Sequence, residues 1–447
     1  MPRRLSIDTT TARFALAAAL AALVLGASGC GDTAGTTAYK DPVGTASAAG
    51  PIIDAATLAQ WADEGKINAP LGLADRVVVV SVATRANFTS ATKKHIPDSV
   101  LLDYSTELTM VREEGLGPAT AMMLAGPQID AVVQKLGIDG ATTVVFTIPR
   151  GSTDSEAYYQ SLAYWTFRYW GFPRERVKIL NGGDDAWDVA GQALTDAVVS
   201  VTPSTYSVTG NGALKDVLRH SVGEMLTTVD EINRDPGRLA TLQLLDVRGF
   251  TTSPYVANTF RGSGGFQFAT DRVNGESTRN RLYPSRDTLI ARMASSPVKN
   301  GSVDAFLSPS KRMLVMCGSS LSASPTFVLF DGVLEVPEGD ITMYDGSSSQ
   351  WNNYSVAKIR QAGATTSQAA AWAFDSVTPG TSRSRAVGTL PAAVAGENAF
   401  VPGNFVYLPT QPEANQIEKA DKDYLAAKGG TSPGTPGTPG GSPGGGC

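Results

Sequence analysis

Short apolar runs, each too brief for a helix and each bounded by polar residues, recur along the chain and leave few architectures open. Arg76–Ser81 reads Arg-Val-Val-Val-Val-Ser, and Thr142–Thr147, Leu242–Val247 and Met313–Met316 are of the same kind. Runs without a period of two are buried on both faces, as strands of a parallel sheet are. Parallel strands need long crossovers, and the intervening sequence supplies helical patterns: Ala55–Glu64, the stretch containing Tyr158, Tyr159, Leu162, Trp165 and Phe167, and Ala323–Phe330. The fold class is therefore α/β. A length of 447 residues gives room for two or three domains, and 42% apolar with 18% charged residues is ordinary for a soluble chain with flexible ends.

The run Met313–Met316 ends at Cys317, followed by Gly318, Ser319, Ser320, Leu321, Ser322 and Ala323. A cysteine at the C-terminal edge of a strand, before a Gly/Ser loop that opens a helix, lies where open α/β sheets bind ligands. Loop N–H groups and the positive end of the helix dipole would favour a thiolate there. The competing assignment is a small apolar core residue. With two histidines, His95 and His220, and three cysteines, a Cys/His zinc site has too few ligands, and no cofactor is expected.

Cys317–Ala323 resembles the active-site loop of the rhodanese family, in its mercaptopyruvate sulfurtransferase form Cys-Gly-Ser-Gly-Val-Thr-Ala. Ser320, Leu321 and Ser322 replace the glycine, valine and threonine. Tyr344, Asp345, Gly346, Ser347 and Trp351 resemble the Tyr-Asp-Gly-Ser…Trp near the end of the family's catalytic domain. In the first half, Val177-Lys178-Ile179-Leu180-Asn181-Gly182-Gly183…Trp187…Gly191 is similar to Val-x-x-Leu-Asp-Gly-Gly…Trp…Gly. Ala83-Thr84-Arg85 and Lys94-His95-Ile96-Pro97-Asp98-Ser99 resemble the family's Asp-x-Arg and Gly-His-Ile-Pro-Gly-Ala turn, with Ala83 for the acid and Lys94 and Asp98 for glycines.

The resemblance implies two tandem rhodanese-like domains, 51–200 and 217–355, each a mostly parallel sheet flanked by helices, followed by a C-terminal extension, 356–428. Pro149, Arg150, Gly151 and Ser152 stand where the first domain would carry its cysteine, so only the second domain is expected to be catalytic. Gln192–Asp216 reads as the connection between them. By the resemblance, Cys317 is the nucleophile that carries a persulfide, Gly318–Ala323 cradle it, and Arg248 and Arg261 hold the substrate carboxylate. A purely structural pairing of Arg248 with Asp246 is the alternative. Arg272, Arg279 and Arg281 lie where the family's turn is missing in the second domain, and read as solvated charge. A neutral Gly318-Ser319 suits a mercaptopyruvate-like donor better than a dianion. Ala323 stands where a cysteine phosphatase of related fold would need its arginine.

The ends of the chain carry different signals. Arg3 and Arg4, the apolar Phe14–Leu25 and the small residues Ala27, Ser28 and Gly29 form a processing segment, 1–29, too short to span a bilayer. With Cys30 next, it resembles a bacterial lipoprotein signal. Cys30 would then be acylated and 30–50 would be a flexible tether. Gly31, rather than an aspartate, favours the outer membrane. Gly429–Cys447 is a low-complexity Gly/Pro tail expected to be disordered, and its Cys447 is a candidate resolving thiol. The net charge of −5 argues against nucleic acid. The expected function is sulfur transfer from a small-molecule donor to a thiol acceptor or cyanide in the bacterial cell envelope. The alternative is a non-catalytic, membrane-anchored module in an envelope protein complex.

Overall fold

The computed structural model describes residues 46, 49–114, 118–225, 228, 237, 240–248, 260–261, 268–294, 312–351 and 415–429. The expected signal segment, Cys30, the expected tether apart from Ala46, Ala49 and Gly50, residues 356–414 of the C-terminal extension and the tail from 430 to Cys447 lie outside these residues; Gly429, expected in the tail, is described as the end of a helix.

Two all-parallel sheets form from the apolar runs. The first has the order β1 (Ile52–Ile53), β7 (Val177–Leu180), β6 (Thr143–Thr147), β2 (Val77–Ala83) and β3 (Val100–Asp103). The second runs β11 (Ile341–Met343), β10 (Arg312–Met316), β8 (Leu242–Asp246) and β9 (Phe260–Arg261). Taken strand for strand, β7-β6-β2-β3 and β11-β10-β8-β9 are the same topology written twice. The bridge Arg219↔Met343 occupies the place that Ile52↔Ile179 of β1 holds in the first copy. A hairpin, β4 (Thr109–Glu113) and β5 (Pro118–Met123), stands apart as the antiparallel pair, irregular between Met110 and Arg112.

The helices follow from local chemistry. Asp54 accepts from Thr57 N–H at 2.8 Å and starts α1 (Ala55–Asp63). After the short α2 (Arg85–Phe88) and α3 (Gly126–Lys135), Thr153 and Glu156 make a reciprocal capping box that opens α4 (Asp154–Tyr169). In α4, Leu162, Trp165 and Phe167 are buried, so the aromatic cluster is core. Next come α5 (Gly183–Val189), α6 (Arg286–Ala294), α7 (Ser320–Val328) and α8 (Gln416–Gly429). Lys94 and Asp98, which replace glycines of the resembled turn, have φ of 56° and 61°. That turn keeps its left-handed backbone without glycine.

The crossover helices α4 and α7 pack on each other and fuse the two copies into one hydrophobic core that includes Val144, Phe146, Met313, Val315 and Cys317. Behind them, fully buried Asp331 takes Tyr164 Oη at 2.6 Å, Arg168 Nε at 3.1 Å and Arg174 Nη2 at 2.7 Å. Burial works against that carboxylate, but Arg168 and Arg174 hold its pKa below the ordinary value.

Two segments differ from the sequence reading. The connection Gln192–Asp216 is fastened along the first copy. Thr195 pairs with His95, Ser204 Oγ donates to Ile138 O, and Val208 N–H donates to Asp130 Oδ1 at 2.8 Å. Arg272, Arg279 and Arg281 are paired rather than solvated: Arg272 and Arg281 with Asp154, Arg279 with Asp185, Asp188 and Glu276. The cause lies beneath them. Three carboxylates ring the C-terminal edge of the first sheet, and the segment 271–283 folds down to meet them.

Candidate active site

β10 delivers Cys317 to the C-terminal edge of the second sheet, where Met316 is in register with Asp246 and Asp246 with Arg261. Gly318 and Ser319 make the turn, and α7 starts at Ser320 with Ser319 as an extended cap whose own side chain caps nothing. The cradle residues divide by burial. Ser320 and Ala323 are buried, whereas Gly318, Ser319, Leu321 and Ser322 are half-exposed.

Cys317 is 1% exposed. Its thiol contacts the Ser319 carbonyl oxygen. Burial pushes the thiol pKa up, against stabilisation from the Ser322 hydroxyl, the Ser319 backbone, the Ser347 hydroxyl and the Ala323 backbone. The expected loop stabilisation is therefore present, but the expected net preference for thiolate is not, because the sulfur lies deeper than a loop edge would put it.

Ser347–Ser349 form the opposite wall, in the turn after β11. Cys317 N–H donates to Ser347 Oγ at 3.0 Å, and Ser347 Oγ lies 2.8 Å from Tyr344 O and 3.9 Å from Cys317 Sγ. With one proton, that hydroxyl serves either the carbonyl or the sulfur. Ser348 N–H donates to Cys317 O at 3.1 Å, and Ser349 donates to Gly318 O from N–H at 3.1 Å and from Oγ at 2.8 Å. Ser347 has φ of 48°. The backbone on both sides of the sulfur is thus held by a serine triplet that sequence reasoning had treated only as a landmark. Its signal was the Tyr-Asp-Gly-Ser block at a fixed distance from the cysteine.

The same turn is anchored below by charge. Asp345 receives Arg219 Nε at 3.1 Å, and Arg219 also makes a bidentate pair with Glu114 at 3.0 and 2.7 Å and reaches Glu418 at 3.4 Å. On the α7 side, Ser320 Oγ donates to Ala121 O of β5 at 3.0 Å, and Ser324 Oγ to Tyr158 O of α4 at 3.0 Å. The loop is therefore gripped by the first copy as well as by its own.

Arg248, expected on the substrate, is engaged by its neighbour: Nε and Nη2 donate to Asp246 at 3.0 and 2.9 Å. A carboxylate as buried as Asp246 requires such a partner. Arg261 lies on β9, one strand beyond Asp246, and its side chain is outside the described residues. In the first copy, the loop at the place of Cys317 is closed over. Ser152 N–H donates to Asn280 Oδ1 at 3.0 Å, and Gly151 and Asn280 N–H both donate to Asp185, at 2.9 and 2.8 Å. Ser152 Oγ donates to Pro149 O at 2.7 Å, so its hydroxyl is spent on the loop. Among the described residues no cluster of His, Cys, Asp and Glu could hold a metal ion, and no helix is long and apolar enough to cross a membrane.

No family model matches the chain. It is 25% identical over 261 residues to "Putative thiosulfate sulfurtransferase SseA" of Mycobacterium leprae, which covers 58% of this chain and 77% of that protein. Over 114 residues it is 27% identical to the sulfur carrier protein TtuD of Thermus thermophilus, covering 26% of this chain and 35% of that one. Among solved structures, Tum1 of Saccharomyces cerevisiae superposes with a TM-score of 0.50 over 68% of this chain and 95% of its own length, at 16% identity. The repeated parallel topology and these likenesses define a rhodanese-like α/β protein. Of these curated relatives one carries the name of a thiosulfate sulfurtransferase and one that of a sulfur carrier, and sulfur transfer in general is the chemistry they support.

Proposed function

We propose that the protein takes a sulfur atom from a small-molecule donor, the thiol sulfur of 3-mercaptopyruvate or the sulfane sulfur of thiosulfate, and passes it to a thiol or cyanide through a Cys317 persulfide. The observation that carries this reading is the convergence on one sulfur of loop backbone, the Ser322 hydroxyl and the Ser347 hydroxyl. With thiosulfate, the Cys317 thiolate attacks the outer sulfur. A new S–S bond forms to Cys317, the donor's S–S bond breaks, and sulfite leaves with the electron pair. The persulfide anion is held by the Gly318–Ala323 loop until an acceptor thiolate or cyanide attacks its outer sulfur and returns the Cys317 thiolate. Two half-reactions through a covalent enzyme give ping-pong kinetics. Preorganised donors around the sulfur stabilise the anion without reorganising at the moment of transfer.

The raised thiol pKa fixes a pH dependence. Only the thiolate attacks, so the rate of persulfide formation rises with pH through the neutral range and levels off above the thiol's pKa. The lipoprotein reading extends the proposal: Cys30 tethers this chemistry to the face of an envelope membrane, with Cys447 on the tail as a resolving thiol.

A second reading is a non-catalytic rhodanese-like module serving an envelope complex, and the near-complete burial of Cys317 favours it. Sulfur transfer to cyanide by the wild-type chain and by Cys317→Ser separates the two. Thiocyanate formed by the wild type alone supports the enzyme. Equal background from both supports the module.

A further inference from the structure

The C-terminal helix α8 lies beyond Trp351, where the resemblance to rhodaneses ends, yet it reaches the surroundings of Cys317 by two routes. On the first, Glu418 contacts Arg219, Arg219 holds Asp345, and Asp345 opens the turn whose Ser347 touches the sulfur. On the second, Asp421 takes Arg112 of β4 in a bidentate pair at 2.9 and 2.7 Å, and Ile417 packs on Ala119 and Met122 of β5. The carbonyl of Ala121, in that same hairpin, receives Ser320 of the Cys317 loop.

We propose that α8 is the positioning element of the Cys317 loop, with Glu418 and Asp421 as positioning residues that hold the Asp345 turn on one side of the sulfur and the β4–β5 hairpin on the other. The proposal rests on the sulfur-transfer reading for its function, but not for its geometry.

Burial and charge both suit a clamp. Arg219, Glu114 and Asp345 are essentially unexposed, and Glu418 and Asp421 nearly so. Four carboxyls, those of Glu114, Asp345, Glu418 and Asp421, share two guanidiniums, those of Arg219 and Arg112. Such an excess in a dry site is tolerated only if carboxyls keep protons. Burial accordingly raises Asp345, Glu418 and Asp421 against the pull of the arginines, with Glu224, Glu114 and Lys422 also facing Glu418. Removing Asp421 takes from Arg112 its carboxylate partner, and removing Glu418 cuts the link between α8 and Arg219, so each acid ties the helix to one side of the site. At the rim, Lys422 pairs with Asp216 at 2.5 Å and Tyr424 Oη donates to Asp130 at 2.6 Å, which fixes the helix along its length.

The test uses the full-length chain with Glu418→Ala, Asp421→Ala and the isosteric Glu418→Gln. Well below each variant's melting temperature, three quantities are measured: kcat and KM for sulfur transfer to cyanide, and the pH profile of Cys317 alkylation by iodoacetamide, read on the Cys317 peptide by mass spectrometry. In the alanine variants kcat is expected to fall roughly tenfold with KM within about twofold, because the loop loses its geometry rather than its substrate contacts. Alkylation is expected to quicken and its profile to move to lower pH, since burial is what raises the thiol and a released turn relieves it. Glu418→Gln, which keeps the hydrogen bond, is expected to restore most of both losses. Alanine variants with lower melting temperatures but an alkylation profile superposing on the wild type's would overturn the clamp, as would a Gln variant no better than Ala. If no protein in the set forms thiocyanate, the sulfur-transfer reading fails, while the alkylation profile still decides the positioning claim.

Discussion

At the scale of single residues, two side chains govern the chemistry. Cys317 provides the sulfur, and Ser347 holds the backbone behind it and offers the nearest hydroxyl in the opposite wall. Ser347→Ala leaves the Cys317 N–H without its acceptor and removes the hydroxyl that lies beside Tyr344 O. It is expected to cost about 1–3 kcal/mol in denaturant unfolding and to slow sulfur transfer to cyanide several-fold, with KM little changed. An unchanged kcat would remove Ser347 from the site. The cysteine was legible from its place after an apolar run and before a Gly/Ser loop. The depth of its burial was not, because the wall formed by Ser347–Ser349 lies thirty residues downstream and the covering hairpin belongs to the other copy. Arg248 was legible as one of two alternatives, and its pairing with the carboxylate two positions earlier is the structural one of them.

Among the elements, the crossover pair α4 and α7 packs the two copies together beside the site. Asp331, in the turn after α7, is tied to α4 through Tyr164 and Arg168 and to the turn after α4 through Arg174. Asp331→Asn takes the buried charge partner from Arg168, which keeps Glu338, and from half-buried Arg174, which keeps Val336 O, so it is expected to destabilise by about 1–3 kcal/mol in urea unfolding. A loss of under about 1 kcal/mol would show the pair to be better solvated than its burial implies. For α8, the sign of the pH effect follows from Glu418, whose pKa burial lifts to about 8. The folded state keeps a proton that the unfolded chain releases. That contribution is greatest below the ordinary carboxylate pKa of about 4 and is lost as pH climbs through 8. Limited proteolysis of α8 is expected to accelerate as pH rises from about 4 to about 8 and to level off above it. Helices with capping boxes and apolar periods could be read from sequence, as α1 and α4 show. The docking of α8 could not, since beside Ile417 its buried face is Glu418 and Asp421, which look like surface charge until Arg219 and Arg112 are brought to them.

For the whole molecule, the two copies of one topology are locked by polar groups at the edge of the first sheet as well as by the shared core. Asp185 accepts from Gly151, Asn280 and Arg279 at once, so Asp185→Asn is expected to lower the single melting transition by several degrees or split it in two. An unaltered melting curve would mean that the apolar core alone joins the halves. His220 sets the acid limit. Burial lowers its pKa to about 4, so the unfolded chain binds the extra proton, and stability falls as pH drops from about 6.5 to about 4. His220→Asn should flatten that part of the curve. The repeat itself was legible in part, because each half has its strand-like apolar runs and closes on a similar block, Leu180-Asn181-Gly182-Gly183…Trp187 in the first and Tyr344-Asp345-Gly346-Ser347…Trp351 in the second. The contact between 271–283 and the first copy's closed loop was not, because it replaces a turn by residues that pair only with the other half. The most direct test of the central claim is the intact mass of the full-length protein after incubation with thiosulfate or 3-mercaptopyruvate. One added sulfur, localised to the Cys317 peptide and discharged by cyanide, is the expected result; an unchanged mass with both donors, or sulfur found only at another cysteine, would contradict it.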